Sequence, residues 1–324
     1  MSTKPNLRLT YGIILAALYA VVMLCLISAD HTLVSISYVF ILPLVIGSIP
    51  VLFSTKEQLL SYKSLIIIPW GSILLFVLLA FLLKLEGIIC LVIIVAPFIM
   101  LATVAAFVIR LFRLHAKGPK TPLYSLLVLP LLFLVVERHI TPEDSFHTVT
   151  TSLEIQAPPP RVWEHVKNVK DIRPQEIQSH FIHLINVPKP VTGHLDREGE
   201  NATRFISWDK GIQFKFDIQE WTEGQGFTYQ VTLDEHSIPP NTLDEHVMVG
   251  GQFFDVVKGS YHITPLPSGA ALLSLTSTYR VTTTFNAYCA LWADFLMDDL
   301  HQMILEVIKG RSEKAVLSLN VKPL

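Results

Sequence analysis

The chain has 324 residues, enough for two domains, and at 51% hydrophobic and 16% charged it is more apolar than an ordinary soluble protein. Its formal net charge of −2 conceals an asymmetry: residues 1–138 hold 10 Lys and Arg against 4 Asp and Glu, and residues 139–324 hold 15 against 23. The acidic second half argues against nucleic acid as a partner, because it would repel phosphates, and against flat adhesion to anionic lipid.

The first part of the chain is a succession of apolar runs at residues 10–28, 33–53, 65–83, 88–112 and 121–136. The first four approach or exceed the roughly 20 residues that cross a bilayer as helix. The fifth is short, but Lys120 and Arg138 can snorkel outward at its ends. Prolines 43, 50, 69, 97 and 130 fall inside the runs, which membrane helices tolerate as kinks. A signal peptide is the rival reading of the first run, and the four runs that follow argue against it. The runs contain almost no charge, which favours an anchor over a transporter. Cys25, Cys90 and Cys289 are isolated and make neither a disulfide framework nor a CxxC metal motif.

Orientation follows from the basic residues. Lys4, Arg8, Lys56, Lys63, Arg110, Arg113, Lys117 and Lys120 fall on one side of five spans, leaving Lys84 and Arg138 on the other. The expectation is a multi-pass plasma (inner) membrane protein with a cytoplasmic N-terminus and an extracytoplasmic soluble domain. If the fifth run lies in the interface instead, the soluble half is cytoplasmic.

Beyond about residue 145 the pattern becomes strand, helix, several strands and a long helix. Residues 147–156 alternate weakly and read as a strand. Residues 161–169 read as a short amphipathic helix after Pro158, Pro159 and Pro160, and residues 174–185 as a second helix. In residues 211–221, Ile212, Phe214, Phe216 and Ile218 alternate with Gln213, Lys215, Asp217 and Gln219, a sheet with one buried face. Phe227, Tyr229, Val231 and Leu233 repeat that period, residues 201–208 add a strand, and residues 253–264 and 270–281 make a further pair. Residues 286–309 read as a long helix, with Tyr288, Trp292, Phe295, Leu296, Met303 and Val307 on its apolar side.

The opening TTSLEIQAPPPRVWEHVKNV, the segment TLDEHVMVGGQFFDVVKGSYHITPLPSGAALLSLTSTYRV and the helix ending in VIKGRSE together resemble the START-like superfamily of polyketide cyclase/dehydrase and lipid transport proteins, in a bacterial branch. The resemblance covers about residues 147–314 and leaves the membrane half untouched. It implies an α+β helix-grip domain, a curved antiparallel sheet around a long C-terminal helix with an apolar cavity between them. Members bind lipids, sterols, polyketides or hormones, and a minority are cyclases or dehydratases. The fold therefore gives a ligand class and not a reaction. The expected organisation is an all-α transmembrane bundle of about five helices at 1–138, the helix-grip domain at 145–315 and a tail at 316–324.

The expected partners are the bilayer and a lipid or other apolar small molecule, with no cofactor. The expected pocket lining is Trp208, Phe214, Phe216, Tyr229, Phe254, Tyr261, Tyr279, Trp292 and Phe295. Glu220, on the apolar face of its strand, needs a partner if buried, and Arg204 on a neighbouring strand can supply one as a polar anchor for a head group. The plainer reading of Glu220 is a strand-end residue turned to solvent. Tyr279, His246 or Glu220 would serve as acid and base in a cyclase or dehydratase, and a non-catalytic regulatory domain is the third reading. The pentapeptide Thr-Leu-Asp-Glu-His occurs at 232–236 and again at 242–246, and Glu176, His180 and His183 share a helical spacing. The ligand spacing of the pentapeptides fits no standard metal site, and the helical trio reads as a solvated face, so no metal is expected. No HExxH, P-loop, GxGxxG or Ser-His-Asp motif is present.

Overall fold

A computed structural model describes residues 7–28, 35–115, 123–234, 236–240 and 242–320. Its contacts form two units: the chain up to Glu143 with Thr283–Phe285, and Asp144–Thr282 with the chain from Asn286.

The first unit is built of apolar helices: α1 (Leu7–Ser28), α2 (Leu42–Leu52), the short α3 (Lys56–Leu60), α4 (Tyr62–Leu82), α5 (Ile88–His115) and α6 (Leu123–Glu137). Of these, α1, α4 and α5 are long and apolar enough to cross a membrane, while the helices ending at Leu52 and Glu137 are shorter. Small residues allow close packing. Ala16, Ala17 and Ala20 of α1 are fully buried, and Gly47 of α2 lies so near α5 that a Cβ there would stand 2.2 Å from the Ala102 carbonyl oxygen. A π-helical turn, Ser37–Ile41, leads into α2. Glu137, at the end of α6, accepts the Ser37 N–H at 2.9 Å and the Ile36 N–H at 2.5 Å. It thereby supplies acceptors that a helix start otherwise lacks. At the other end of α2, Arg113 Nη1 donates to the carbonyls of Val51, Leu52 and Ser54 at 2.9–3.0 Å. Arg110 Nε donates to Leu59 O at 2.7 Å. These two arginines place the end of α5 beside the α2–α4 link.

The second unit is a seven-stranded antiparallel sheet of β1 (Asp144–Ile155), β2 (Pro190–Leu195), β3 (Thr203–Trp208), β4 (Gln213–Thr222), β5 (Gly226–Thr232), β6 (Phe254–Pro265) and β7 (Ala271–Thr282). Its order is β1-β7-β6-β5-β4-β3-β2, and it curls as a half-barrel against a C-terminal helix. The helices are α7 (Pro159–Lys167), α8 (Phe181–Leu184) and α9 (Asn286–Asn320). This is the helix-grip arrangement. Along β7, Ala271, Leu273, Leu275, Ser277, Tyr279 and Val281 are buried, each separated by a half-buried residue. The outer face of β1 and β7 is tied by hydroxyl pairs, Thr148–Thr278 at 3.1 Å, Thr150–Thr276 at 2.9 Å and Ser152–Ser274 at 2.8 Å, a cross-strand arrangement suited to a wet face. The C-terminal helix packs mainly on β1 and also on β7, α7 and α8.

Three sequence expectations change here. Strand β2 was not anticipated. The helix expected over 174–185 is instead a 3₁₀ turn at Pro174–Glu176 and the four residues of α8. Its polar residues are drawn to α9: Arg311 grips Glu176 through Nε–Oε1 and Nη2–Oε2, both 2.9 Å, and these bonds hold the Glu176 carboxyl below its usual pKa. The helix expected at 286–309 continues to Asn320.

Candidate functional site

The register of β3 to β6 decides which side chains face α9. Arg204 lies opposite Phe216, and Ile206 opposite Phe214. Phe216 then faces Val231, and Ile218 faces Tyr229. Tyr229 is opposite Gly259, and Phe227 opposite Tyr261. Arg204, Ile206, Trp208, Phe214, Phe216, Tyr229 and Tyr261 therefore share the inner face. Phe216 stacks on Tyr229 with centroids 4.1 Å apart and an interplanar angle of 6°. Phe227 meets Tyr261 at 5.4 Å. Gly259 makes room for this packing, since a Cβ there would lie 2.4 Å from the Tyr229 hydroxyl.

Glu220 is not part of this face. The pairing of β4 with β5 shifts between Ile218 and Glu220, and such a bulge reverses the alternation beyond it. Trp221 turns inward, and Glu220 is exposed opposite Thr228, whose hydroxyl donates to it at 3.3 Å. The solvent reading of Glu220 is correct, and Arg204 has no partner there.

The remaining expected residues separate. Phe254 and Tyr279 belong to a second cluster with Val281 and Met297. The Tyr279 hydroxyl is committed to Asp294 Oδ1 at 2.6 Å, with Ala290 O at 3.2 Å; burial, then Asp294, pushes its pKa up. On α9 the face packed in that cluster runs through Cys289, Ala293, Met297 and Leu300. Phe295 lies on the far side, 49% exposed and beside Phe181. Trp292 is half-buried and donates to the Tyr288 hydroxyl at 3.0 Å. The expected apolar stripe was displaced because α9 is covered on more than one side. His246 sits in the loop before β6, its ring 5.6 Å from Phe253. Of the repeated pentapeptide, Asp234 pairs with Lys215 at 2.5 Å, and Glu235 lies outside the described residues.

Sequence reasoning missed a polar chain beside the aromatic face. His301, 1% exposed, meets Thr151 Oγ1 through Nδ1 at 3.2 Å and Ser277 Oγ through Nε2 at 2.8 Å. Thr151 also donates to Asp298 at 2.5 Å. Burial lowers the His301 pKa to about 4 against a smaller opposing effect of Asp298, so the imidazole is neutral at pH 7. Its sequence signal was a histidine four residues from Met297 on one side and from Leu305 on the other.

The second missed feature is a clasp on α9. His180 contacts Asp299 at 3.1 Å and Glu306 at 3.0 Å. Desolvation works against its protonation, but the bonds to and charges of these carboxylates outweigh it and raise its pKa. Glu176 and His180 thus hold α9 through Arg311, Asp299 and Glu306, His183 Nδ1 accepts the His180 N–H, and the three do not share one helix face.

Across the β2–β4 end of the sheet, a half-open cleft of about 440 Å³ is lined by His194, Phe205, Ile206, Phe214, Lys215 and His236 among others. The unpartnered buried polar atoms lie elsewhere: Arg204 Nε and Nη1, Trp208 Nε1 and His183 Nε2 are among them. Two of those residues, Arg204 and Trp208, are on the inner face.

No protein-family model matches the sequence, and no curated protein matches it. Solved structures similar to the chain include an aromatase/cyclase from Streptomyces sp. R1128, at 15% identity and TM-score 0.34, over 53% of this chain and 96% of that one. A truncated norcoclaurine synthase from Thalictrum flavum gives 9% identity and TM-score 0.31 over 52% and 93%. A Thermus thermophilus protein gives 19% and 0.33 over 52% and 99%. These neighbours are START-like proteins. At such TM-scores they lend no weight to any one activity.

Proposed function

We propose that the chain is a membrane-anchored binding or transfer module for an apolar small molecule or lipid, held on the inner face of β3 to β6. The carrying observation is the state of that face. Trp208, Phe214 and Phe216 point inward by register and yet remain only half-buried, because α9 packs mainly over β1. A half-covered aromatic face gains from burying an apolar ligand. The enzyme reading has less support. Glu220 is on the outer face, the Tyr279 hydroxyl is bonded to Asp294, and both nitrogens of His301 meet hydroxyls.

Native mass spectrometry of the full chain, extracted in detergent and delipidated, tests this. An apolar adduct bound one to one is expected, and Phe214→Glu should weaken its retention about tenfold or more, since burying one phenyl ring contributes about 1.5–3 kcal/mol. An adduct indifferent to Phe214, or none after incubation with apolar ligands, would exclude the reading.

The helical unit is proposed as the anchor, with five spans, a cytoplasmic N-terminus and an extracytoplasmic grip domain. In support, Arg110 and Arg113 bond carbonyls of residues 51–59. They therefore gather with Lys56 at one end of the unit, as the positive-inside bias requires. Lys4, Lys117 and Lys120 lie outside the described residues. Alkaline phosphatase fused after Leu324 should be active; a fluorescent, phosphatase-inactive fusion would show that the fifth run does not cross.

A further inference from the structure

Arg204 is 3% exposed, and its Nε and Nη1 have no hydrogen-bond partner. Its guanidinium carbon lies 5.7 Å from the Phe227 ring centroid and 5.4 Å from that of Tyr261. On β2, Gly193 presents no side chain to it: a Cβ there would stand 3.2 Å from Nη2 and 3.4 Å from Nε. The group is thus framed by two aromatic rings and a bare stretch of backbone. A guanidinium keeps its charge when buried, and a buried charge without a counter-charge destabilises a fold. Aromatic faces offset only part of that. The other buried cation of this unit, Lys167, is already paired with Glu164 and Glu198, at 3.0 and 2.6 Å. Among the described residues of this unit, Arg204 is the buried Lys or Arg left without an anion, and it sits on the face that the proposed ligand occupies.

We infer that Arg204 seats a carboxylate, so that the ligand is an apolar molecule with one acidic end. This rests on the binding role proposed above. One guanidinium balances one negative charge, which favours a carboxylate over a doubly charged phosphate. Phe216, directly opposite Arg204, leads along β4 to Phe214 and to Trp208 at the end of β3. The acidic end lies deep, and the apolar body extends toward this half-covered end.

The test uses the full chain in nanodiscs of neutral lipid, titrated calorimetrically with naphthoate and with its uncharged isostere naphthamide. Wild-type protein is expected to bind naphthoate about tenfold or more tightly than naphthamide, as charge-assisted hydrogen bonds imply. Arg204→Gln should remove the preference for the acid over the amide, and Arg204→Lys should restore part of it. Equal affinity of the wild-type protein for acid and amide would overturn the inference with the binding role intact, and needs no variant that folds. A preference that survives Arg204→Gln would also overturn it. Uptake of neither compound by the wild-type protein would count against the binding role itself.

Discussion

Tyr279→Ala is expected to destabilise the sheet-and-helix unit by about 3–5 kcal/mol, the range for truncating a large buried aromatic. Tyr279 is fully buried on β7, with the His147 ring 5.5 Å and the Phe254 ring 5.7 Å from its own. Its hydroxyl reaches across to α9, where it donates to Asp294 Oδ1 at 2.6 Å. Truncation removes the ring from the second cluster and also the polar link that holds the first turns of α9 to the strand. Tyr279→Phe separates the two contributions. It keeps the ring and loses the bond, so about 1 kcal/mol is expected, with Asp294 half-buried and able to take up water. Pulse proteolysis across a urea series reads both variants in the full chain. An alanine variant as resistant as wild type would mean that Tyr279 does not pin α9, and would return its hydroxyl to the list of groups free to meet a ligand.

What the sequence made legible was periodicity, and what it hid was every place where a tertiary contact overrode it. Residues 211–221 and 227–233 show strict alternation, and they are β4 and β5 with the expected inner residues up to Ile218. Beyond Ile218 a single extra residue reverses the faces, and no composition signal marks a bulge. Glu220 was therefore placed with Phe216 when it belongs with Thr228. Strand β2 was invisible because Pro190 and Gly193 weaken its pattern, and because its second edge is met by an isolated bridge to Val169 that no periodicity marks. Helical spacing at 174–185 was real, but Glu176 is held by Arg311 and His180 by Asp299 and Glu306, and these long-range bonds outweigh the modest gain of a short helix. In α9 the apolar residues recur on more than one side, so spacing alone could not say which stripe meets the sheet. From the sequence, Arg204 is named only as a partner for Glu220, and the burial of Arg204 itself without an anion has no signal there. That the partner is missing from its neighbourhood follows only from the bulge that turns Glu220 away.

Acidification from pH 7 to pH 4 is expected to remove about 3 kcal/mol from the stability of the same unit through His301 alone. The imidazole has a pKa of 6.5 when exposed and about 4 in the fold. A difference of that size converts at roughly 1.4 kcal/mol per pH unit. The sign follows from which state takes up the proton. Above pH 6.5 His301 is neutral in both states and its stability contribution is whole. Between 6.5 and about 4 the unfolded chain binds a proton that the folded chain refuses, so stability falls as the pH falls, and below 4 the loss stops growing. The physical cause is burial between β1, β7 and α9, where Thr151 and Ser277 offer hydroxyls and Asp298 compensates only in part. His165 and His183 are also held low, chiefly by burial, and act in the same direction. His180, held high, acts oppositely, contributing stability below 6.5 that is lost as the pH rises through its folded pKa. A wild-type acid profile therefore sums several histidines, and a variant is needed to isolate one. His301→Leu keeps the bulk and abolishes the titration, at the expense of two hydroxyls left without the ring, so its stability at pH 7 will drop. The informative quantity is the gap between wild type and variant, measured by urea unfolding at pH 7 and again at pH 4. That gap should shrink by about 3 kcal/mol, because the variant lacks the penalty that the wild type accumulates. A gap that stays constant across the range would mean that His301 titrates alike in the folded and unfolded chain, and a gap that widens toward pH 4 would mean that it is protonated in the fold, with Asp298 as its counter-charge.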